Sequence, residues 1–237
     1  MKVWIESDTL SKIRKKDKLG KPGKEGVCYL LPDNKVIKLF HGLEKKKKVY
    51  FDSLSNPQIA FPIDVLYDRE SKLTAGYTMN YLQGESLLDG FKEDISIQEI
   101  KNAYLNMRLI LLKYKDIYMD DLCLENLLYD YENKKINIID TSRWFKENDA
   151  FVENIENFNW QMMTAILYSF RVNYTKLKQN KELNEILKQY ENHIHDISMF
   201  LNFINVLERY VSEERQEKVK TIRDLKILMK NNKNTWF

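Results

Sequence analysis

Glycine and proline are scarce in this chain, seven and four residues of 237, and they fall in the first 90 positions. Residues that permit or fix unusual backbone are thereby concentrated early. The first part reads as turn-rich and strand-bearing, the remainder as helical. Cysteine is rarer still. Cys28 and Cys123 stand far apart and form no C-x-x-C pair, which removes a disulfide framework and reads as reduced thiols in a cytosolic protein. With three histidines, no zinc spacing and no Ser-His-Asp or Cys-His arrangement is present. His41 is isolated, and His193 and His195, two apart, fall on different faces of a helix. No stretch reaches the roughly 18–20 apolar residues that cross a bilayer, and Met1 to Leu19 is polar and lysine-rich with no run of signal-peptide length. A soluble cytoplasmic protein is expected. An excess of one charge is missing too: 38 Lys and Arg against 35 Asp and Glu leave +3, which does not by itself argue for nucleic acid and gives no strong signal for it. The run Lys45-Lys46-Lys47-Lys48 reads as the solvated face of a short helix.

What is present is a hydrophobic fraction of 43%, enough for one ordinary domain or two small lobes sharing a cleft. Val27 to Leu31 and Lys35 to Phe40 read as strands joined by the turn Pro32-Asp33-Asn34. Glu44 to Leu54 reads as a short helix. Ile63 to Tyr67 and Ala75 to Met79 read as two further strands around a polar turn at Asp68 to Lys72. Past Gly84 the pattern changes to a period of 3.6, with Ile100, Tyr104, Met107, Ile110 and Leu111 on one face of a helix over Ile97 to Tyr114. Asn126 to Asp140 reads as a second hairpin turning at Glu132-Asn133-Lys134. Helical pattern dominates from about Glu156, over Phe158 to Phe170, Lys181 to Tyr190, Ile197 to Val211 and Thr221 to Lys230.

Three features carry chemistry. Gly20-Lys-Pro-Gly23-Lys-Glu-Gly26 leads into the first hairpin, where glycines let backbone N–H groups approach phosphate oxygens; a glycine-bearing turn before a strand is also commonplace. Lys38 shares a strand face with Val36 and Phe40 and is expected to point inward, although a single strand lysine more often snorkels to water from a sheet edge. A buried ammonium costs several kcal/mol unless it is paired, and Glu44, then Asp52, are the candidate partners. The third feature is Asp121, with Asn126 five residues on and Asp140 fourteen residues beyond that. Singly these are a helix cap, a turn residue and a strand-end acid. Jointly they supply a hydroxyl-orienting carboxylate, a carboxamide and a second carboxylate able to share a divalent metal, the parts phosphoryl transfer uses.

These residues resemble the protein kinase-like superfamily, as a divergent Ser/Thr kinase-like protein of bacterial or phage type. Met119-Asp120-Asp121-Leu122-Cys123-Leu124-Glu125-Asn126 is similar to the catalytic loop H-R-D-L-x-x-x-N, and Asp140-Thr141-Ser142 to the D-F-G metal motif. Gly23, Gly26 and Lys38 are similar to the glycine loop and strand lysine, and Tyr77 to Leu87 to the last strand and hinge. The resemblance covers Gly20 to Asp140. It implies an α+β bilobal fold: an N-lobe over residues 1–82, a small antiparallel sheet with one helix, and a larger, mainly helical C-lobe over 83–237. It implies ATP and Mg²⁺ as cofactors, with Lys38 on the α- and β-phosphates and paired to Glu44. Met79 would be the gatekeeper, and Asn80 to Leu82 the adenine-contacting hinge. Asp121 would orient the acceptor hydroxyl, and Asn126 and Asp140 would bind the metal. The expected activity is γ-phosphate transfer to protein Ser/Thr hydroxyls.

The departures are also informative. Asp120 replaces the arginine that clamps a phosphorylated activation loop, Cys123 replaces a lysine that contacts the γ-phosphate, and Met119, Thr141 and Ser142 replace the motif His, Phe and Gly. No A-P-E motif follows Asp140. A small-molecule kinase of the aminoglycoside or choline kinase type, and a nucleotide-binding pseudokinase serving as an interaction module, therefore stand as alternatives.

Overall fold

A computed structural model describes residues 1–15, 18–44, 54–170, 184–185, 188, 198–215 and 218–226. The chain forms two compact units, Met1–Gln83 with Ile138–Phe145, and Gly84–Asn137 with Lys146–Phe237. The architecture is mixed α+β.

In the first unit, β1 (Lys2–Ile5), β2 (Gly26–Leu30), β3 (Lys35–Glu44), β4 (Pro62–Asp68) and β5 (Thr74–Asn80) make one sheet in the order β1-β4-β5-β3-β2. Both hairpins lie where the turn residues predict them. Asn34 and Lys72 take the left-handed backbone their turns require, φ 58° and 61°, and Asp68 accepts hydrogen bonds from the N–H and Oγ of Ser71 at 2.8 and 2.6 Å to close the β4–β5 turn. Strand alternation then divides the side chains of β3 between the two sheet faces. Ile37 and Leu39 join Tyr29, Leu66 and Ala75, while Val36 and Phe40 join Ala60, Tyr77 and Met79.

Two elements of the first unit's opening residues were not anticipated. Strand β1 pairs in parallel with β4, Lys2 opposite Val65 through Ile5 opposite Asp68. Helix α1 (Ser7–Arg14) packs on the sheet through Leu10. Only one of its eight side chains is buried, too few to print a period on the sequence. One expectation is corrected: Glu44 does not open a helix but ends β3, opposite Thr74, after a register irregularity beyond Leu39. Residues 45–53, with the lysine run and Asp52, lie outside the described residues, as do His193 and His195.

In the second unit, α2 (Ile97–Lys113) buries Ile100, Tyr104, Met107, Ile110 and Leu111, the face that the 3.6-residue period marks. Ser96 caps it by accepting from the Gln98 N–H at 3.2 Å. Tyr104 stacks on Phe158 of α3 (Phe151–Ser169) with ring centroids 5.4 Å apart, and its ring lies 4.6 Å from Phe200 of α4 (Met199–Arg215). Helix α3 begins seven residues before its predicted start. The predicted helix over Thr221 to Lys230 is described only as α5 (Ile222–Leu225), and that over Lys181 to Tyr190 only at 184, 185 and 188, all helical. A small sheet joins Glu85–Ser86 (β6), Leu127–Asp130 (β8) and Lys135–Ile138 (β9). The β8–β9 turn is closed by Asp130, which accepts from the N–H groups of Glu132 and Asn133 at 3.1 and 3.0 Å. No described helix is long and apolar enough to cross a membrane.

Gly76 permits the close approach of β5 to β3, since a Cβ there would stand 2.0 Å from the carbonyl oxygen of Lys38. Gly76→Ala is expected to destabilise the protein by about 2–3 kcal/mol through forced backbone movement. Urea denaturation measures this, and an unchanged midpoint would contradict the β3–β5 register.

Candidate functional site

Lys38 faces Cys28 and Tyr77 across its two neighbouring strands and is 4% exposed. Its burial follows from its place between Val36 and Phe40 on the inner face of β3, and its charge demands a partner there. Its Nζ donates to Asp140 Oδ1 at 2.5 Å and lies 3.5 Å from Glu25 Oε2. Among the described residues the carboxylates at Lys38 are Asp140 and Glu25; the sequence candidate Asp52 and the side chain of Glu44 lie outside them.

Each carboxylate is positioned by local structure. Lys18 bridges Tyr29, and the Leu19 N–H donates to Cys28 O at 2.8 Å, so residues 20–25 form a hairpin connection into β2. That loop is pinned to β3. The His41 N–H donates to Glu25 O at 3.0 Å, and His41 Nε2 donates to Gly23 O at 2.8 Å. Within it the Gly23 N–H donates to Gly26 O at 3.0 Å. Gly26 has a structural reason to lack a side chain, because a Cβ would stand 2.3 Å from Leu39 O.

Asp140 follows Ile138, which forms a parallel bridge to Ile59. The Ile138 N–H donates to Gln58 O at 2.8 Å, and the Ala60 N–H to Ile138 O at 2.9 Å. On its far side Thr141 Oγ1 donates to Ala60 O at 3.0 Å, and Trp144 packs edge-on against Phe61 at 5.7 Å. Between these anchors Asp140 takes φ 57°. A non-glycine residue there costs on the order of 1–2 kcal/mol and persists only where its surroundings fix it.

Asp140 Oδ1 also accepts from Ser142 Oγ at 2.9 Å and Tyr77 OH at 3.4 Å. Burial works against its charge, but the Lys38 ammonium and these hydrogen bonds outweigh burial and hold the carboxyl below its ordinary value. Burial also raises the Tyr77 phenol well above its usual range, with Asp140 adding to it, and pushes the Cys28 thiol up to about 11. Tyr77 is therefore a neutral donor and Cys28 a neutral thiol. Beside this polar group, Leu19, Cys28, Val36, Ala60, Met79, Leu82 and Ile139 form a mostly apolar cluster. Met79 and Asn80 close β5, and the Tyr81 N–H donates to Asn34 O at 3.0 Å.

In the second unit, Asp121 and Asn126 occupy one loop between Ile117–Tyr118 (β7) and β8. Buried Met119, Leu122 and Leu124 hold it. Asn154, buried on α3, accepts from the Met119 N–H at 2.9 Å and donates Nδ2 to Ile117 O at 2.7 Å. Asn126 Nδ2 donates to Asp121 O at 2.9 Å, which leaves the amide oxygen as the atom suited to a cation. Asp121 is exposed with φ 66°. Asn34, Lys72 and Lys134 take positive φ in hairpin turns, whereas Asp121 and Asp140 do so outside any hairpin.

Among the described residues no three His, Cys, Asp or Glu side chains gather as a metal cage. Ionised Asp140 in the first unit and the Asn126 amide in the second are each hard oxygen donors of the kind Mg²⁺ takes. On that donor chemistry each residue fits the metal. Glu25, Tyr77 and Asn154 carried no functional signal in the sequence. Ser142 registered only as a departure from the glycine of the metal motif.

No protein-family model matches the chain, and no curated protein does. Among solved structures it is similar to an apo pseudokinase at 7% identity and a TM-score of 0.49, over 69% of this chain and 70% of that one. It is also similar to PK-1, the kinase of Cydia pomonella granulovirus, at 18% identity and a TM-score of 0.42, over 59% and 60% of the two chains. At these identities and scores, no residue role passes from either structure to this chain.

Because the Asp140 carboxyl titrates low in the folded protein, its ionised form contributes stability above the unfolded carboxylate value. That stability is lost as pH falls through the folded value. Urea unfolding between pH 6 and 2.5 is expected to show it, with Asp140→Asn flattening the acid limb of the curve. An identical pH slope in the variant would contradict the ion pair.

Proposed function

We propose that the protein is an ATP- and Mg²⁺-dependent phosphotransferase of the protein kinase-like fold, moving the γ-phosphate to a protein Ser/Thr hydroxyl. The carrying observation is the buried Lys38 ammonium held against Asp140, a cation and a metal-type carboxylate fixed beside an apolar cluster. In this reading the adenine lies against Val36, Met79 and Leu82, with backbone at Asn80 as its hydrogen-bonding edge. The N–H groups around Gly23 and Gly26 approach the phosphates, and Lys38 donates to the α- and β-phosphate oxygens. Asp140 and Asn126 each supply an oxygen of the type that would hold Mg²⁺, which when bound offsets phosphate charge. Asp121, exposed on its loop, orients the acceptor hydroxyl and takes its proton. His41 keeps the glycine loop against β3.

A second acceptor class is favoured by one observation. Only ten residues, Thr141 to Ala150, separate Asp140 from α3, and Thr141, Ser142, Trp144 and Ala150 are buried. That leaves little chain for a peptide-binding platform and supports a small-molecule hydroxyl as the acceptor. Labelled ATP incubated with lysate and resolved into protein and metabolite fractions separates the two. Nucleotide binding with transfer to neither fraction points to a pseudokinase.

Asp121→Ala is expected to lower transfer by roughly 10²–10⁴-fold while leaving ATP binding intact, and Asp140→Ala to weaken Mg·ATP binding. Full transfer activity in both variants would falsify the assignment. Binding is read by calorimetry, and transfer with radiolabelled ATP.

A further inference from the structure

Lys38 has two carboxylates within ion-pair distance, Asp140 at 2.5 Å and Glu25 at 3.5 Å. Ser142 Oγ links the pair, 2.9 Å from Asp140 Oδ1 and 3.0 Å from Glu25 Oε2. A hydroxyl carries one proton, so it donates to only one of them at a time. Lys38 and Ser142 are thus shared between two acceptors, one on the glycine loop and one after β9.

We propose that Glu25 is a positioning residue for Lys38: the carboxylate that keeps the ammonium paired and aimed when Asp140 turns to a metal–nucleotide complex. This rests on the nucleotide reading above. An Asp140 engaged with a cation can no longer neutralise Lys38 to the same degree. Lys38, 4% exposed, cannot recover the loss from water, and an unpaired charge in that environment is strongly disfavoured. Glu25 answers the need because its loop is fixed independently of Asp140. His41 donates to the carbonyls of Glu25 and Gly23 from β3, the strand that carries Lys38. The Glu25 carboxylate is 27% exposed, so it keeps solvent access as it takes over the ion pair, and the released Ser142 proton follows it. The glycine loop then contributes to nucleotide binding through a side chain as well as through its backbone.

The proposal predicts an effect conditional on metal. Dissociation constants for a non-hydrolysable ATP analogue are measured by calorimetry on the full chain, wild type and Glu25→Gln, in Mg²⁺ and in EDTA. In Mg²⁺ the variant is expected to bind roughly tenfold more weakly, the scale of one lost charged hydrogen bond. In EDTA, where Asp140 still serves Lys38, the change is expected to stay below about twofold on the same reasoning. Equal losses in both conditions would mark Glu25 as merely structural, and no loss in Mg²⁺ would show it idle; either overturns the proposal. Glu25→Asp, which keeps the charge on a shorter arm, is expected to recover part of the Mg²⁺-dependent loss. Its behaving the same as Glu25→Gln also overturns the proposal. Thermal midpoints of both variants, followed by circular dichroism, establish that they fold. Wild-type protein that binds no nucleotide in either condition refutes the function proposed above and this inference with it, an outcome readable before any variant is made.

Discussion

A lysine at the inner face of β3 sets a constraint that the rest of the first unit satisfies. The strand's alternation puts position 38 among Val36, Phe40 and Tyr77, where an ammonium is tolerated only with a carboxylate against it. Meeting that demand draws in two distant parts of the chain. The segment after β9 is docked by the Ile59–Ile138 bridge, the Thr141 hydroxyl and Trp144 on Phe61. The glycine loop is pinned by His41. Backbone strain at Asp140 and the tight approach at Gly76 belong to the same construction, each holding a charge or a strand where local preference alone would not.

The second unit meets a milder constraint by apolar means. The loop bearing Asp121 and Asn126 has its polar atoms outward because Met119, Leu122 and Leu124 are inward, and because Asn154 ties the chain on both sides of β7 to α3. Met119 stands at a position that resembles a motif histidine, and here it serves as an apolar anchor. An exposed aspartate on a strained but well-held loop is a poor stabiliser of the fold.

Much of the fold was legible because its signals are local. The β2–β3, β4–β5 and β8–β9 hairpins follow from turn residues between alternating strands, and α2 from five apolar residues on one face. The candidate residues Lys38, Asp121, Asn126 and Asp140 were legible as residue types at particular spacings. What escaped notice had no local trace. Strand β1 gains its identity only from parallel pairing with β4, and α1 buries a single side chain. The end of β3 ran past the alternating segment through a register irregularity, so Glu44 was misread as a helix start.

The sequence by itself put a lysine on the same strand face as Val36 and Phe40, since period-two alternation suffices for that. It also determined that two acids and an amide stand on a loop and at a strand end. The tertiary structure decided which carboxylates answer the lysine. Ion-pair partners are chosen by distance in space, and Asp140 lies 102 positions from Lys38 while Glu25 lies in the preceding loop. No periodicity or spacing encodes that choice. It arises only when the segment after β9 docks beside Ile59 and the glycine loop folds back onto β3.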